Sequence, residues 1–242
     1  MMFLVDNELD RIVSITADDE DTSNPVTNVT IRRLADYWQT NSAGTKTATI
    51  ELTNSVQIKH ISLVDHNLVS GDTVTIQAFD NSGYTGTPEE LELTVRDGVI
   101  YGYKADFTAT KYFKIVIAKN SGSYFSLGYL FISPNAFEAD HLTGSRPNLE
   151  SNTIDAESVG FQSYYSEGVS RKVQDFNFGV LTNANAQAFI IARDYIKKPG
   201  VLFQNKNRPD LNEPYFAKLE SAKFDSRDYL RYPFTFSFKE VF

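Results

Sequence analysis

Three histidines and one acidic run are the residues of this sequence that could take part in metal or acid–base chemistry. His60 lies in an apparent strand, His66 lies in the loop that follows it, and His141 stands far from both. None has a metal-binding spacing such as H-E-x-x-H. There is also no G-x-S-x-G nucleophile elbow, P-loop or dinucleotide fingerprint. We therefore predict no catalytic residue, and we interpret the histidines as ordinary surface or loop residues.

The acidic run occupies positions 18–21 and is a candidate cation site. Ca²⁺ takes six to eight oxygen ligands, many of them loop carboxylates, so Asp18, Asp19 and Asp21 are the candidate ligands. The spacing matches no EF-hand, and the turn glycine is missing. A solvated acidic loop is the alternative that we favour, and no other cofactor is expected.

Trp38 and the preceding Tyr37 are candidate ligand-binding aromatics. They follow the polar segment 24–28, and a lone tryptophan can stack on a sugar or on a partner side chain. It can equally anchor the core of a small sandwich, which is the interpretation that we favour for Trp38.

Composition narrows the classes of protein to consider. The chain has 242 residues, 41% of them hydrophobic, a net charge of −8 and no cysteine. An acidic balance argues against nonspecific nucleic-acid binding, and the lack of cysteine excludes disulfides and thiolate metal sites. No apolar run approaches a membrane span, and the five apolar residues before Asp6 are too few for a signal-peptide core.

The first half of the chain shows the alternation of half-buried strands. Apolar residues recur at every second position, and turn formers such as Ser70-Gly71-Asp72 separate the runs. Short strands at this spacing predict an antiparallel β-sandwich or jelly roll over residues 1–135. The runs are 48–52, 74–78, 91–95, 113–117 and 125–131.

Residues 136–242 predict an α+β domain with an antiparallel sheet and one helix. Residues 1–135 carry a net charge of −7 and residues 136–242 a net charge of −1, which fits two modules. The helix should begin at the N-cap Thr182 and end before Pro199-Gly200. Four aromatics share one face of the last strand, as a core or an assembly face: Tyr232, Phe234, Phe236 and Phe238.

Residues 14–132 resemble galactose-binding-like, discoidin-type jelly rolls. The resemblance rests on Asn24-Pro25, on the segment 33–39 that contains Trp38, and on the strand Thr47–Leu52. Later runs follow in the family's order at 58–64, 73–79 and 112–118. The family's aspartate-glycine before the tryptophan and its cysteine pair are absent, so the resemblance implies a fold more than a ligand.

Residues 160–242 resemble the closing region of small bacteriophage tail proteins. The matching segments are 178–182 (FGVLT), 199–203 (PGVLF) and the aromatic strand 232–242. This resemblance implies a non-enzymatic structural component of a tail tip or baseplate, assembled in the host cytoplasm and located in the virion. Its partners would be other tail proteins, further copies of itself and a host-surface glycan.

The alternative hypothesis is a carbohydrate-binding module without catalytic activity. It predicts exposed aromatics at the tip of the jelly roll and a glycan as partner. Neither hypothesis involves nucleic acid or a membrane span.

Overall fold

The computed structural model describes residues 2–4, 7–31, 35–120, 122–138, 148–151, 154–157, 163–166, 170–181, 200–203, 215–224 and 232–240. The chain forms two compact units. The sandwich unit comprises Met2–Glu138 with Val201–Tyr215, and the second unit comprises Ala139–Gly200 with Phe216–Val241.

Strands dominate the described part of both units, as predicted. Two short 3-10 helices, Glu8–Arg11 and Val26–Thr30, accompany the strands of the sandwich unit. The strands up to residue 138 are β1 Met2–Leu4, β2 Ile12–Ala17, β3 Trp38–Gln39, β4 Gly44–Val56, β5 His60–His66, β6 Thr73–Phe79, β7 Glu89–Leu93, β8 Val99–Tyr103, β9 Thr110–Lys119, β10 Ser126–Ser133 and β11 Phe137–Glu138. The strands that follow are β12 Asn148–Ser151, β13 Ile154–Glu157, β14 Ser163–Ser166, β15 Ser170–Leu181, β16 Gly200–Phe203, β17 Tyr215–Phe224 and β18 Tyr232–Glu240.

Two antiparallel sheets form the sandwich. One has the strand order β2-β4-β9-β6-β7 and the other has the order β3-β10-β5-β8. Their facing side chains make one apolar core, which includes Ile50, Ile76, Ile115, Leu63 and Leu130. The predicted mainly β class with a sandwich is confirmed.

The alternation of apolar and polar side chains explains why these segments form strands. In β9 the buried residues alternate with half-exposed ones over nearly all of the ten positions, so one face packs on the core and the other faces water. The turns need backbone conformations that favour glycine, at Gly71 with φ +98° and Gly98 with φ +82°. These turns fix where β6 and β8 begin.

β10 departs from the predicted alternation, because seven of its eight residues are buried. Tyr129 and Phe131 are fully buried although they lie outside the sandwich core cluster. The buried amide of Asn7 donates hydrogen bonds to the Tyr129 hydroxyl (2.7 Å) and to the Leu130 carbonyl (2.9 Å). Its oxygen accepts from the backbone amides of Leu9 (3.2 Å) and Ile132 (3.0 Å). One asparagine therefore ties the segment before β2 to β10.

A small ladder in the sandwich unit joins segments that lie far apart in sequence. β1 pairs with β11 through Phe3 and Phe137, and on its other side it pairs with β16 through Phe3 and Leu202. Val201 and Leu202 are fully buried. The apolar residues of β16 thus join a unit whose other strands end at residue 138.

The second unit contains antiparallel ladders. β15 pairs with β12 and with β18, β18 also pairs with β17, and β13 pairs with β14. The aromatic strand predicted at 232–242 corresponds to β18. The predicted helix from Thr182 lies outside the described residues, and the predicted division at residue 135 stays a prediction.

Candidate functional site

Trp38 lies in the sandwich core. Its side chain is 1% exposed, and its ring meets Phe125 edge-on at a centroid distance of 5.1 Å. The indole nitrogen donates to the Asp19 carbonyl at 3.2 Å. Both faces of the ring are thus removed from solvent, which agrees with the core interpretation and leaves no surface on which a sugar could stack. Tyr37 is half-buried, and its carbonyl accepts from the Asn28 amide at 3.1 Å.

The acidic run is bonded to protein donors. Asp18 accepts from the amide and hydroxyl of Thr47, each at 2.9 Å. Asp19 pairs with the Lys46 ammonium at 2.5 Å, and this contact is the main cause that holds its pKa well below the usual range. Asp21 accepts from the Ser23 amide at 2.8 Å. No group of three or more metal-ligating side chains occurs among the described residues, so Ca²⁺ binding by this run stays a prediction.

The aromatic strand at the end of the chain is β18. Phe238 is fully buried, and the register pairs it with Gln174 of β15 and Leu219 of β17. This burial favours the core interpretation for Phe238. The side chains of Tyr232, Phe234 and Phe236 lie outside what the structure describes, and an assembly face there stays a prediction.

The histidines do not converge on one site. His60 is buried beside the Tyr101 hydroxyl at 2.9 Å, and burial lowers its pKa to about 4. His66 lies at the opposite end of β5, and His141 is outside the described residues. The Leu68 amide donates to Nδ1 of His66 at 3.2 Å, and the buried Nε2 has no hydrogen-bond partner among the residues that the structure describes. Burial lowers the pKa of His66, and the nearby Asp97 carboxylate opposes that shift.

The end of the sandwich beside His66 carries the best candidate surface. Here β5, β7 and β9 end and β6, β8 and β10 begin, so three loops meet. We call the surface formed by the described residues of loops 65–72, 94–98 and 119–125 the apical face. Loops carried on a rigid sandwich are the usual place for binding residues.

A buried ion pair organises the apical face. The register of β6 with β9 pairs Thr73 with Ala118, which places Asp72 and Lys119 side by side. The Lys119 ammonium donates to the Asn67 carbonyl at 2.6 Å and lies 3.6 Å from the Asp72 carboxylate. The side chains of Lys119 and Asp72 are only 6% and 1% exposed, respectively.

The carboxylate of this pair is also bonded to the backbone of two loops. Asp72 accepts from the Val69 amide at 2.9 Å and from the Asn120 amide at 2.8 Å. Burial alone would raise the pKa of Asp72, but these amides and Lys119 outweigh it and lower that pKa. Asp72 therefore holds both loops in place while it stays ionised.

Asparagine side chains complete the bracing. Asn67 donates to the Tyr124 carbonyl at 3.0 Å and accepts from the Ser126 amide at 2.9 Å. Asn120 donates to the Gly71 carbonyl at 2.5 Å. Loops 65–72 and 119–125 thus behave as one preorganised surface, which reduces the entropy lost on binding.

Apolar side chains are displayed on this surface. Tyr124 is 40% exposed and Val69 is 47% exposed. A groove of about 430 Å³ opens at the same end of the sandwich and is lined by residues 70–72 and 92–95. An exposed aromatic can cover the apolar face of a ligand while the polar groups of a groove bind its hydroxyls.

The opposite end of the sandwich has a smaller cavity of about 180 Å³, lined in part by Phe79, Asp80, Glu89 and Thr108. Both Glu89 oxygens are already engaged, with the Lys104 ammonium at 2.8 Å and with the Thr108 amide at 2.7 Å. Both oxygens of the Glu89 carboxylate are therefore unavailable to a ligand in this cavity.

Sequence reasoning missed Tyr124, Lys119 and Glu92 as site residues. Lys119 and Tyr124 had one signal, their position next to a turn that separates two alternating runs, whereas Glu92 lies inside the run 91–95 and had none. Of the candidate aromatics, Trp38 lies in β3 and is buried, and the preceding Tyr37 is half-buried. No helix among the described residues is long and apolar enough to cross a membrane.

Comparison with known proteins gives structural similarities only. No protein-family model matches the sequence, and no curated protein matches it. The family 32 carbohydrate-binding module of C. perfringens NanJ, solved with galactose, is 14% identical, with a TM-score of 0.45 over 55% of this chain and 98% of that one. A chitosan-binding module from a Paenibacillus sp. IK-5 chitosanase/glucanase is 18% identical, with a TM-score of 0.45 over 53% and 98%. A Streptococcus pneumoniae fucose-binding module is 12% identical, with a TM-score of 0.42 over 53% and 95%. Identities this low transfer no residue roles to this chain.

Proposed function

We propose that the sandwich unit is a non-catalytic carbohydrate-binding module whose ligand lies on the apical face. The observation that carries this proposal is the preorganised pair of loops held by Asp72 and Lys119, which displays Tyr124 at the same end of the sandwich as a polar groove. A pyranose ring has an apolar face and a rim of hydroxyls. The Tyr124 ring suits the apolar face, and the Ser70 and Thr94 hydroxyls and the Glu92 carboxylate of the groove suit the hydroxyl rim.

The test is a glycan array probed with the wild type and with Tyr124→Ala. Loss of one stacked aromatic should weaken binding about tenfold, given roughly 0.5–1.5 kcal/mol for the ring contact itself plus the apolar area lost. Tyr103→Ala is the matched control, since Tyr103 is 53% exposed and lies at the other end of the sandwich. Thermal unfolding of both variants checks that the fold is intact.

Two outcomes would count against the proposal. One is an array on which the wild-type protein binds no glycan. The other is a Tyr103→Ala variant that loses as much binding as Tyr124→Ala, because that result would place the ligand away from the apical face. Trp38→Ala is unsuitable as a binding test, since it would open a cavity in the core.

The tail-tip role is a separate proposal for the second unit. It rests on the sequence resemblance of residues 160–242, and none of the three similar structures described above is a tail protein. Electron microscopy of an intact particle would test it, with antibody against this chain as the label. Labelling away from the tail, or no labelling, would contradict it.

A further inference from the structure

The apical end of the sandwich is strongly acidic. The described residues at and beside the strand ends there are 18–31, 35–43, 65–72, 92–98, 119–120 and 122–125, and together they contain nine Asp or Glu and two Lys or Arg. Their net charge is therefore −7 with histidine neutral, against −8 for the whole chain. A concentration of one sign of charge raises the local concentration of oppositely charged ligands.

Within this acidic end, only some carboxylates are already neutralised. Lys119 accompanies Asp72, and Lys46 accompanies Asp19. Glu92 differs from them because it is exposed and its side chain has no hydrogen bond or ion pair to any residue that the structure describes. Since Glu92 lines the groove itself, the groove presents one uncompensated negative charge to its ligand.

We propose that the apical groove selects amino sugars, binding glycans with a free amine more tightly than neutral glycans and neutral glycans more tightly than uronates. This inference rests on the proposed carbohydrate-binding function. The ammonium of the sugar lies beside the Glu92 carboxylate and donates hydrogen bonds to it. A uronate in the same place meets that carboxylate and the surrounding negative field.

The size of the effect follows from Coulomb's law. A unit charge about 6 Å from Glu92 in a water-exposed groove changes binding roughly threefold, and more where the groove lowers the effective dielectric constant. Each step from uronate to neutral sugar to amino sugar should therefore be about threefold or larger. Added salt should reduce these affinity ratios, because the Debye length falls from about 30 Å at 0.01 M to about 3 Å at 1 M.

The experiment uses the full chain and three sets of immobilised monosaccharide conjugates. Each set contains a neutral hexose, its 2-amino form and its uronate, built on galactose, glucose and mannose. Measurements are made at about pH 6, where an α-amine-like group with a pKa near 8 is protonated. Glu92→Gln removes the groove charge, and Glu90→Gln is the matched control.

Glu90 is a suitable control because it is exposed on the same face of the same strand. It lies two residues from Glu92 and does not line the groove, and its carboxylate accepts from the Gln77 amide at 2.7 Å. In every set that binds, we expect the 2-amino sugar to bind more tightly than the neutral hexose, and the neutral hexose to bind more tightly than the uronate. We also expect Glu92→Gln to reduce the amino preference about threefold and Glu90→Gln to leave it nearly unchanged.

The other results separate the two proposals. Equal binding within each set, a preference for uronates, or no binding to any amino sugar while other glycans bind would overturn the selectivity and leave the carbohydrate-binding function standing. The same holds if both glutamine variants change the preference equally. If the protein binds neither these conjugates nor any other glycan, both proposals are wrong.

Discussion

Replacing Lys119 with methionine should destabilise the sandwich unit while keeping the side chain's apolar stem. The ammonium is buried, and it is bonded to the Asn67 carbonyl at 2.6 Å beside Asp72. Breaking a buried pair from one side costs about 3–5 kcal/mol. Asp72 keeps its two backbone amide donors in the variant. We therefore expect a destabilisation at the low end of this range, about 3 kcal/mol.

The assay is urea unfolding followed by tryptophan fluorescence. Trp38 is the only tryptophan in the chain and lies in the sandwich core, so its emission reports on this unit alone. With a slope of about 2 kcal/mol/M, a loss of about 3 kcal/mol lowers the midpoint by about 1.5 M. Lys104→Met is the control, because Lys104 and Glu89 are 23% and 29% exposed and such pairs contribute about 1 kcal/mol or less.

A double-mutant cycle and a pH series sharpen this test. Lys119→Met with Asp72→Asn should cost less than the sum of the two single changes, because the double variant leaves no buried charge alone. The Asp72 pKa is lowered on folding, so its contribution is present above the unfolded pKa and is lost as pH falls through the folded pKa. Without Lys119 that loss should begin at a higher pH. Additive costs, or a loss in Lys119→Met below about 1 kcal/mol, would refute the argument.

Three further changes test the fold and the acidic run. Asn7→Leu should cost about 2–4 kcal/mol in urea unfolding, because it removes the four hydrogen bonds of the buried Asn7 amide; a cost within experimental error would contradict this. Gly102→Ala should cost about 1–3 kcal/mol in the same assay, since its Cβ would lie 2.1 Å from a Leu93 methyl, and a neutral result would mean that Leu93 moves aside. Ca²⁺ should not raise the melting temperature, because the Asp19 carboxylate is already bonded to protein donors; a rise that EDTA reverses would show a cation site.

Strand positions could be predicted from the sequence because burial repeats every two residues. Val74, Ile76 and Ala78 alternate with polar residues, and all three are buried in β6. β8 was missed because its sequence, VIYGY, shows no such alternation. Gly102 near its end lies close to Leu93 of β7, a contact that depends on how the two sheets pack.

The candidate site could not be predicted from the sequence, because it also depends on how strands pair. Asp72 and Lys119 are 47 positions apart, and only the register of β6 with β9 makes them neighbours. A one-residue shift in that register would turn each side chain to the opposite face. Trp38 shows the converse case, since its residue type suggested a ligand while its packing against Phe125 assigns it to the core.

The ladder of β1 with β16 has a consequence for biosynthesis. A ribosome makes Met2–Leu4 before the other strands of the sandwich unit, yet their partner Val201–Phe203 emerges about two hundred residues later. At roughly 5–20 residues per second, β1 waits at least ten seconds or so for that partner. The strands of the two sandwich sheets can pair during this interval, so the ladder of β1 with β16 forms after them.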